Sequence, residues 1–174
     1  MSGVFWRRQF SRKEGVAMTA TWHKTNYRVP YSDTDRMGVV HHANYINWFE
    51  IARTECMRYY GVAYSDVEAS GLLLPVLDVA CSYKNSATFD DCIAIYSKIV
   101  DYSPIKLAFA YEARKVTEEA FAKNDEPTVD EPMGELLTTG TTKHMWVNHD
   151  FKPTRLSRKA PKFYEVVERY GGRE

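Results

Sequence analysis

The chain has 174 residues, 44 % of them hydrophobic, and equal numbers of basic and acidic side chains, so its formal charge is zero. That length fits one domain able to bury a core without staples. The charge balance gives no reason to expect nucleic acid, and no apolar run approaches the roughly 20 residues of a membrane span.

The first seventeen residues, MSGVFWRRQFSRKEGVA, are unlike the rest. Arg7, Arg8, Arg12 and Lys13 against Glu14 give a net +3, which leaves residues 18–174 at −3. The segment lacks the apolar stretch of a signal peptide. It is read as an N-terminal extension over 1–17, either an arm that touches something acidic or a leader before a true start at Met18. The second reading is favoured because Lys13-Glu14-Gly15 can be encoded as a ribosome-binding sequence. Residues 18–174 form the single domain.

His23–Tyr31 alternates as a short strand that ends near Pro30. SDTDRMG follows as a turn-rich loop, with Asp33 and Asp35 on one side of the extended chain and Gly38 free to take positive φ. A long helix is predicted from Asn44 to Tyr60, with Asn44 as its cap and Gly61 as its stop. Tyr45, Trp48, Phe49, Ala52, Cys56, Tyr59 and Tyr60 share a face that Ile46 and Met57 widen. So apolar a helix is expected to be wrapped on several sides. A short helix is expected at Tyr64–Ala69.

Period-two alternation then gives strands around Leu77–Tyr83, Ile93–Tyr96 and Ile105–Tyr111, and a run of threonines, helix-averse and strand-tolerant, gives another over Gly134–Val147. Residues 117–133 hold two prolines and six acids and read as a long solvated loop. A short amphipathic helix is expected near Lys162–Tyr170. The order of strand, long helix and further strands makes an α+β fold. Cys56, Cys81 and Cys92 form no CxxC pair and read as reduced thiols of a cytoplasmic protein.

The residues with chemistry cluster in 33–45. A carboxylate at Asp33 or Asp35 facing the positive end of a helix suits acyl transfer or hydrolysis, the helix stabilising an oxyanion. Either aspartate equally suits an Asx-turn cap. His41 and His42 point apart in extended chain, and no standard zinc spacing is present. Glu50 is read as a helix-surface partner of Arg53 or Thr54. The sequence has no GxSxG, no phosphate-cradling GxxxxGK[ST] and no GxGxxG.

The string YSDTDRMGVVHHANYxxWFExAR, residues 31–53, resembles the signature of the 4-hydroxybenzoyl-CoA thioesterase family of hotdog-fold proteins, especially its bacterial acyl-CoA thioesterases. The resemblance implies a curved antiparallel five-stranded sheet wrapped around one central helix. It further implies edge-to-edge dimers that pair as dimers of dimers, with sites at the dimer interface. It implies hydrolysis of acyl-CoA to free acid and coenzyme A without a further cofactor. Asp35 matches the catalytic carboxylate, as general base or nucleophile. His42 matches the backbone N–H that polarises the carbonyl, and its ring is placed to assist. Asn44 and Tyr45 match the start of the helix and the acyl-pocket wall, and Asp33 matches a loop organiser. Ser103, Lys106, Lys152 and Arg155 are candidates for the nucleotide end of coenzyme A. His41 replaces a common aromatic residue, and loop 117–133 is longer than usual. Two other readings stay open: a thioesterase acting on acyl-carrier protein, and a non-catalytic acyl-CoA-binding protein.

Overall fold

The computed structural model describes residues 21–123 and 127–172. The extension over 1–17 and the expected start at Met18 lie outside these residues. Six antiparallel strands form one sheet: β1 (Trp22–Arg28), β2 (Val76–Tyr83), β3 (Cys92–Tyr102), β4 (Lys106–Lys115), β5 (Thr128–Val129) and β6 (Glu135–Met145), in the spatial order β2-β6-β4-β3-β1-β5. The helices are α1 (His42–Tyr59), α2 (Tyr64–Ala69), α3 (Glu118–Ala122), α4 (Leu156–Lys159) and α5 (Pro161–Tyr170). The α+β class stands, and the expected five strands become six. Among the described residues no helix is long and apolar enough to cross a membrane.

Alternation along β3, β4 and β6 aligns three cross-strand rows that face α1: Ile95–Ala113–Thr138, Ser97–Tyr111–Gly140 and Ile99–Phe109–Thr142. Helix α1 buries Tyr45, Trp48, Phe49, Ala52, Cys56 and Met57. Each large side chain removed from water in this way contributes about 1.5–3 kcal/mol. The Phe49 ring stacks on Tyr111 at 4.6 Å, and the Ser97 hydroxyl donates to Ala52 O at 3.2 Å. A Cβ on Gly140 would overlap the Phe49 ring, so the missing side chain lets helix and sheet approach.

The opposite face of α1 is open in this chain. His42, Asn47 and Glu50 are exposed, and Ile46 and Ile51 are each 38 % exposed. Within this chain the helix therefore lies across one sheet face: apolar residues occur on both of its faces, and one of them meets the sheet. α1 ends as Gly61 predicts. Gly61 takes φ 86°, its N–H reaches Arg58 O at 3.0 Å, and Val62 N–H reaches Met57 O at 2.9 Å. This is a Schellman closure, with Val62 buried beneath it.

The acidic stretch 117–133 also departs from expectation, since it carries α3 and β5. Thr117 caps α3 through Ala120 N–H, and β5 pairs with Trp22 and His23. Arg28 forms ion pairs with Glu118 and Asp90 and lies over the Phe121 ring. The insertion thus covers the β1 edge of the sheet. At the opposite edge β2 pairs only with β6 among the described strands.

Candidate active site

The loop between β1 and α1 closes on itself. Thr34 bridges Val40, Asp35 N–H reaches Val39 O at 2.9 Å, and Gly38 N–H returns to Asp35 O at 2.9 Å. Gly38 takes φ 76°, the turn conformation its lack of a Cβ permits. The result is a tight hairpin that places Asp35 at its tip and runs directly into α1.

Asp33 and Asp35 have separate jobs. Asp33 Oδ2 accepts from the Tyr27 hydroxyl at 2.9 Å and from Trp48 Nε1 at 3.0 Å. Its carbonyl accepts from His41 N–H at 2.9 Å and from Asn44 Nδ2 at 2.8 Å. Burial, and next the Asp33 carboxylate, push the Tyr27 phenol up to about 12, so it remains a donor. Asp35 is only partly buried, and its Oδ1 accepts from Met37 N–H at 2.8 Å. That bond is an Asx turn, and it fixes one oxygen while the other has no partner among the described residues.

The amino end of α1 is capped by His41 rather than Asn44. His41 Nδ1 accepts from Ala43 N–H at 3.3 Å. Asn44 sits in the first turn instead, because its amide is committed to Asp33 O and its Oδ1 to Asn47. The His42 N–H makes no hydrogen bond among the described residues. An unpaired N–H at the positive end of an 18-residue helix is a donor suited to an oxyanion.

The His42 ring is exposed, 4.2 Å from the His41 ring and edge-on to Tyr83 at 6.4 Å. The Tyr83 hydroxyl, at the end of β2, donates to His42 O at 3.0 Å. No sequence signal marked this link, since it joins residues 41 positions apart. Tyr45 is buried under the hairpin, its hydroxyl accepting from Ala87 N–H at 3.1 Å and its ring against Trp48 and Tyr83.

Asp33, Asp35, His41, His42, Asn44 and Tyr45 thus come together. Ser103 and Lys106 do not join them within one chain. They close the β3–β4 hairpin, where Ser103 Oγ accepts from Ile105 and Lys106 N–H groups. The Asp35 hairpin adjoins the start of β3, where Val29 N–H meets Asp91 O. Eleven residues of strand separate the two ends, roughly 35 Å. Lys152 and Arg155 lie toward the Ser103 end, as Leu156 N–H bonded to Pro104 O shows. Glu50 approaches Arg53 at 3.8 Å, and Thr54 Oγ1 donates to Glu50 O.

Residues 29–168 match the thioesterase-like superfamily. The Bacillus subtilis (strain 168) protein YneP, named as a candidate acyl-CoA thioesterase, is 31% identical over 147 residues, covering 84% of this chain and 95% of that protein. The acyl-CoA thioester hydrolase YbgC of Escherichia coli O157:H7 is 33% identical over 92 residues, covering 53% of this chain and 69% of its own. Among solved structures, DHNA-CoA thioesterase from Staphylococcus aureus matches with a TM-score of 0.73 and 32% identity, covering 84% of this chain and 89% of that one.

Proposed function

The chain belongs to the thioesterase-like superfamily, and we propose that it is an acyl-CoA thioesterase, like the relatives it matches, in which Asp35 and the amino end of α1 carry out the hydrolysis. One observation carries this assignment. The carboxylate of Asp35 stands on a hairpin that leads straight into the helix end where the His42 N–H has no partner among the described residues.

The thioester carbonyl oxygen takes the His42 N–H, so charge developing on it faces the positive end of α1. Asp35 Oδ1 stays on Met37, and Oδ2 acts. As a nucleophile it bonds to the carbonyl carbon while the C–S bond breaks and the thiolate leaves; water then cleaves the mixed anhydride. As a general base it takes a proton from the attacking water. Either route gives one free acid and one coenzyme A. Asn44 and Asp33 hold the loop against the helix. Tyr45 walls the acyl group from beneath, and the exposed His42 ring lies close enough to assist the leaving thiol.

The unit of function in this reading is a dimer. Strand β2 is eight residues long, and Val76, Leu77, Val79 and Tyr83 on it are 39–57 % exposed. A long apolar edge of this kind is a template for another strand. Pairing β2 with its copy is isologous and closes the assembly. The open face of α1, with Ile46 and Ile51, then meets the partner, and the helix becomes central to a continuous hotdog sheet. Two such dimers form the tetramer. The Lys106 end, with Lys152 and Arg155, serves the nucleotide part of coenzyme A as a contribution from the partner protomer, and Ser103 holds that hairpin's turn. The free thiols Cys56, Cys81 and Cys92 suit the cytoplasm.

Thiol release from a panel of aliphatic and aromatic acyl-CoAs tests the activity. Turnover of at least one acyl-CoA is expected, and none on any member would overturn it.

A further inference from the structure

An apolar cavity lies well away from the Asp35 hairpin. It opens between α1, α2 and the sheet, has a volume of about 120 Å³, and is walled by Met57, Val62, Val67, Leu74, Phe109 and Trp146. Arg53 and Glu50 also line it. Arg53 stands eleven residues beyond His42 on α1, about 16 Å along the axis.

The apolar walls and the volume suit a single ring or a short chain. A cavity of roughly 150 Å³ with comparable walls holds benzene. Arg53 makes this space different from a simple packing gap. Its side chain is only 17 % exposed, against 66 % for Glu50, and the two approach no closer than 3.8 Å. That separation is beyond hydrogen-bonding reach. On the inner side Arg53 hydrogen-bonds the Tyr111 hydroxyl and lies near enough to the His144 ring to disfavour its protonation. The Tyr111 hydroxyl also shares a hydrogen bond with Thr142 Oγ1 at 2.7 Å. A guanidinium carries five N–H donors, so Arg53 can take a further acceptor on the cavity side. Trp146 is 0 % exposed, and its indole N–H has no partner among the described residues. A buried donor left unmet is costly.

We propose that this cavity is a binding site for a compact monocarboxylate, either a single-ring aromatic acid or an aliphatic acid of about four to six carbons. The carboxylate takes the fork of Arg53, which matches it two bonds at a time. The apolar body lies against Phe109 and Trp146. Glu50, loosely paired at 3.8 Å, is the intramolecular competitor for the same guanidinium. Acids of this class are what thioester hydrolysis releases, so the site gives the protein a means of responding to its product. The binding itself stands on the cavity and does not rest on the role of Asp35.

Isothermal titration calorimetry of the full chain with benzoate and hexanoate, beside benzyl alcohol and hexanol, tests it. Saturable binding of an acid is expected, with the matching alcohol about tenfold weaker or absent. Arg53→Gln weakens the acid about tenfold or more, Glu50→Gln tightens it severalfold, and Asp35→Asn leaves it unchanged. Equal binding of acid and alcohol, no saturable binding of either acid, or loss of binding in Asp35→Asn would overturn the site. If Arg53→Gln does not fold, Glu50→Gln decides: unchanged affinity there overturns the proposal.

Discussion

The Asp33 carboxylate accepts the indole N–H of Trp48 at 3.0 Å, so the hairpin that carries Asp35 is anchored to the buried face of α1. The same oxygen takes the Tyr27 hydroxyl from β1. One carboxylate therefore ties strand, loop and helix together fifteen residues apart in sequence. The motif's first aspartate builds the frame, and its second keeps one carboxylate oxygen without a partner among the described residues.

Removing that frame has a cost that can be measured. Asp33→Ala leaves the Trp48 and Tyr27 donors unmet and is expected to destabilise the fold by about 2–4 kcal/mol. Asp33→Asn keeps an acceptor oxygen and is expected to cost about half as much. Urea denaturation followed by tryptophan fluorescence reads both. Equal, negligible effects would show that the anchor contributes little.

The exposed β2 edge predicts how the protein assembles. A charge placed on it, as in Leu77→Lys with Val79→Lys, disfavours strand pairing. Light scattering coupled to size exclusion is expected to show a drop from oligomer toward monomer mass. Activity is expected to fall with it, because Tyr83 at the end of β2 is bonded to His42 O. An unchanged mass would move the interface elsewhere.

Acid sensitivity follows from two buried histidines. Burial holds His23 and His144 down at about 4, against an ordinary 6.5; Glu55 partly opposes this for His23, and Arg53 adds to it for His144. Between pH 6.5 and 4 the unfolded chain binds protons that the folded chain refuses, so stability falls as pH drops through that window. The loss is expected to be a few kcal/mol, roughly, for the pair together. His144→Gln removes one of the two groups and flattens the pH dependence of the urea midpoint. A slope unchanged by that substitution would contradict the assignment.

The sequence carried the fold wherever the pattern was local. Period-two alternation located β2, β3 and β4, a run of threonines located β6, and Gly61 marked the end of α1 at the right turn. The cap did not follow the rank order of capping residues. His41 reaches Ala43 N–H because its own N–H is already bound to Asp33 O across the hairpin, a closure that composition does not encode. Strand β5 is two residues long and exists through its pairing with Trp22 and His23, so an acidic, proline-containing stretch concealed it. The motif singled out Asp35 and His42, and the structure sets both at the loop and helix end that follow β1. The burial of Arg53 was not legible, since it depends on α2 and Trp146 closing over a helix position that reads as surface.

The most direct test of the site is the rate of thiol release by Asp35→Asn on the best acyl-CoA of the panel, measured beside a wild-type control of equal thermal stability. Asparagine keeps the acceptor for Met37 N–H and removes the charge and basicity. The account predicts kcat lower by at least about a hundredfold with KM little changed. A kcat within about twofold of wild type would contradict it.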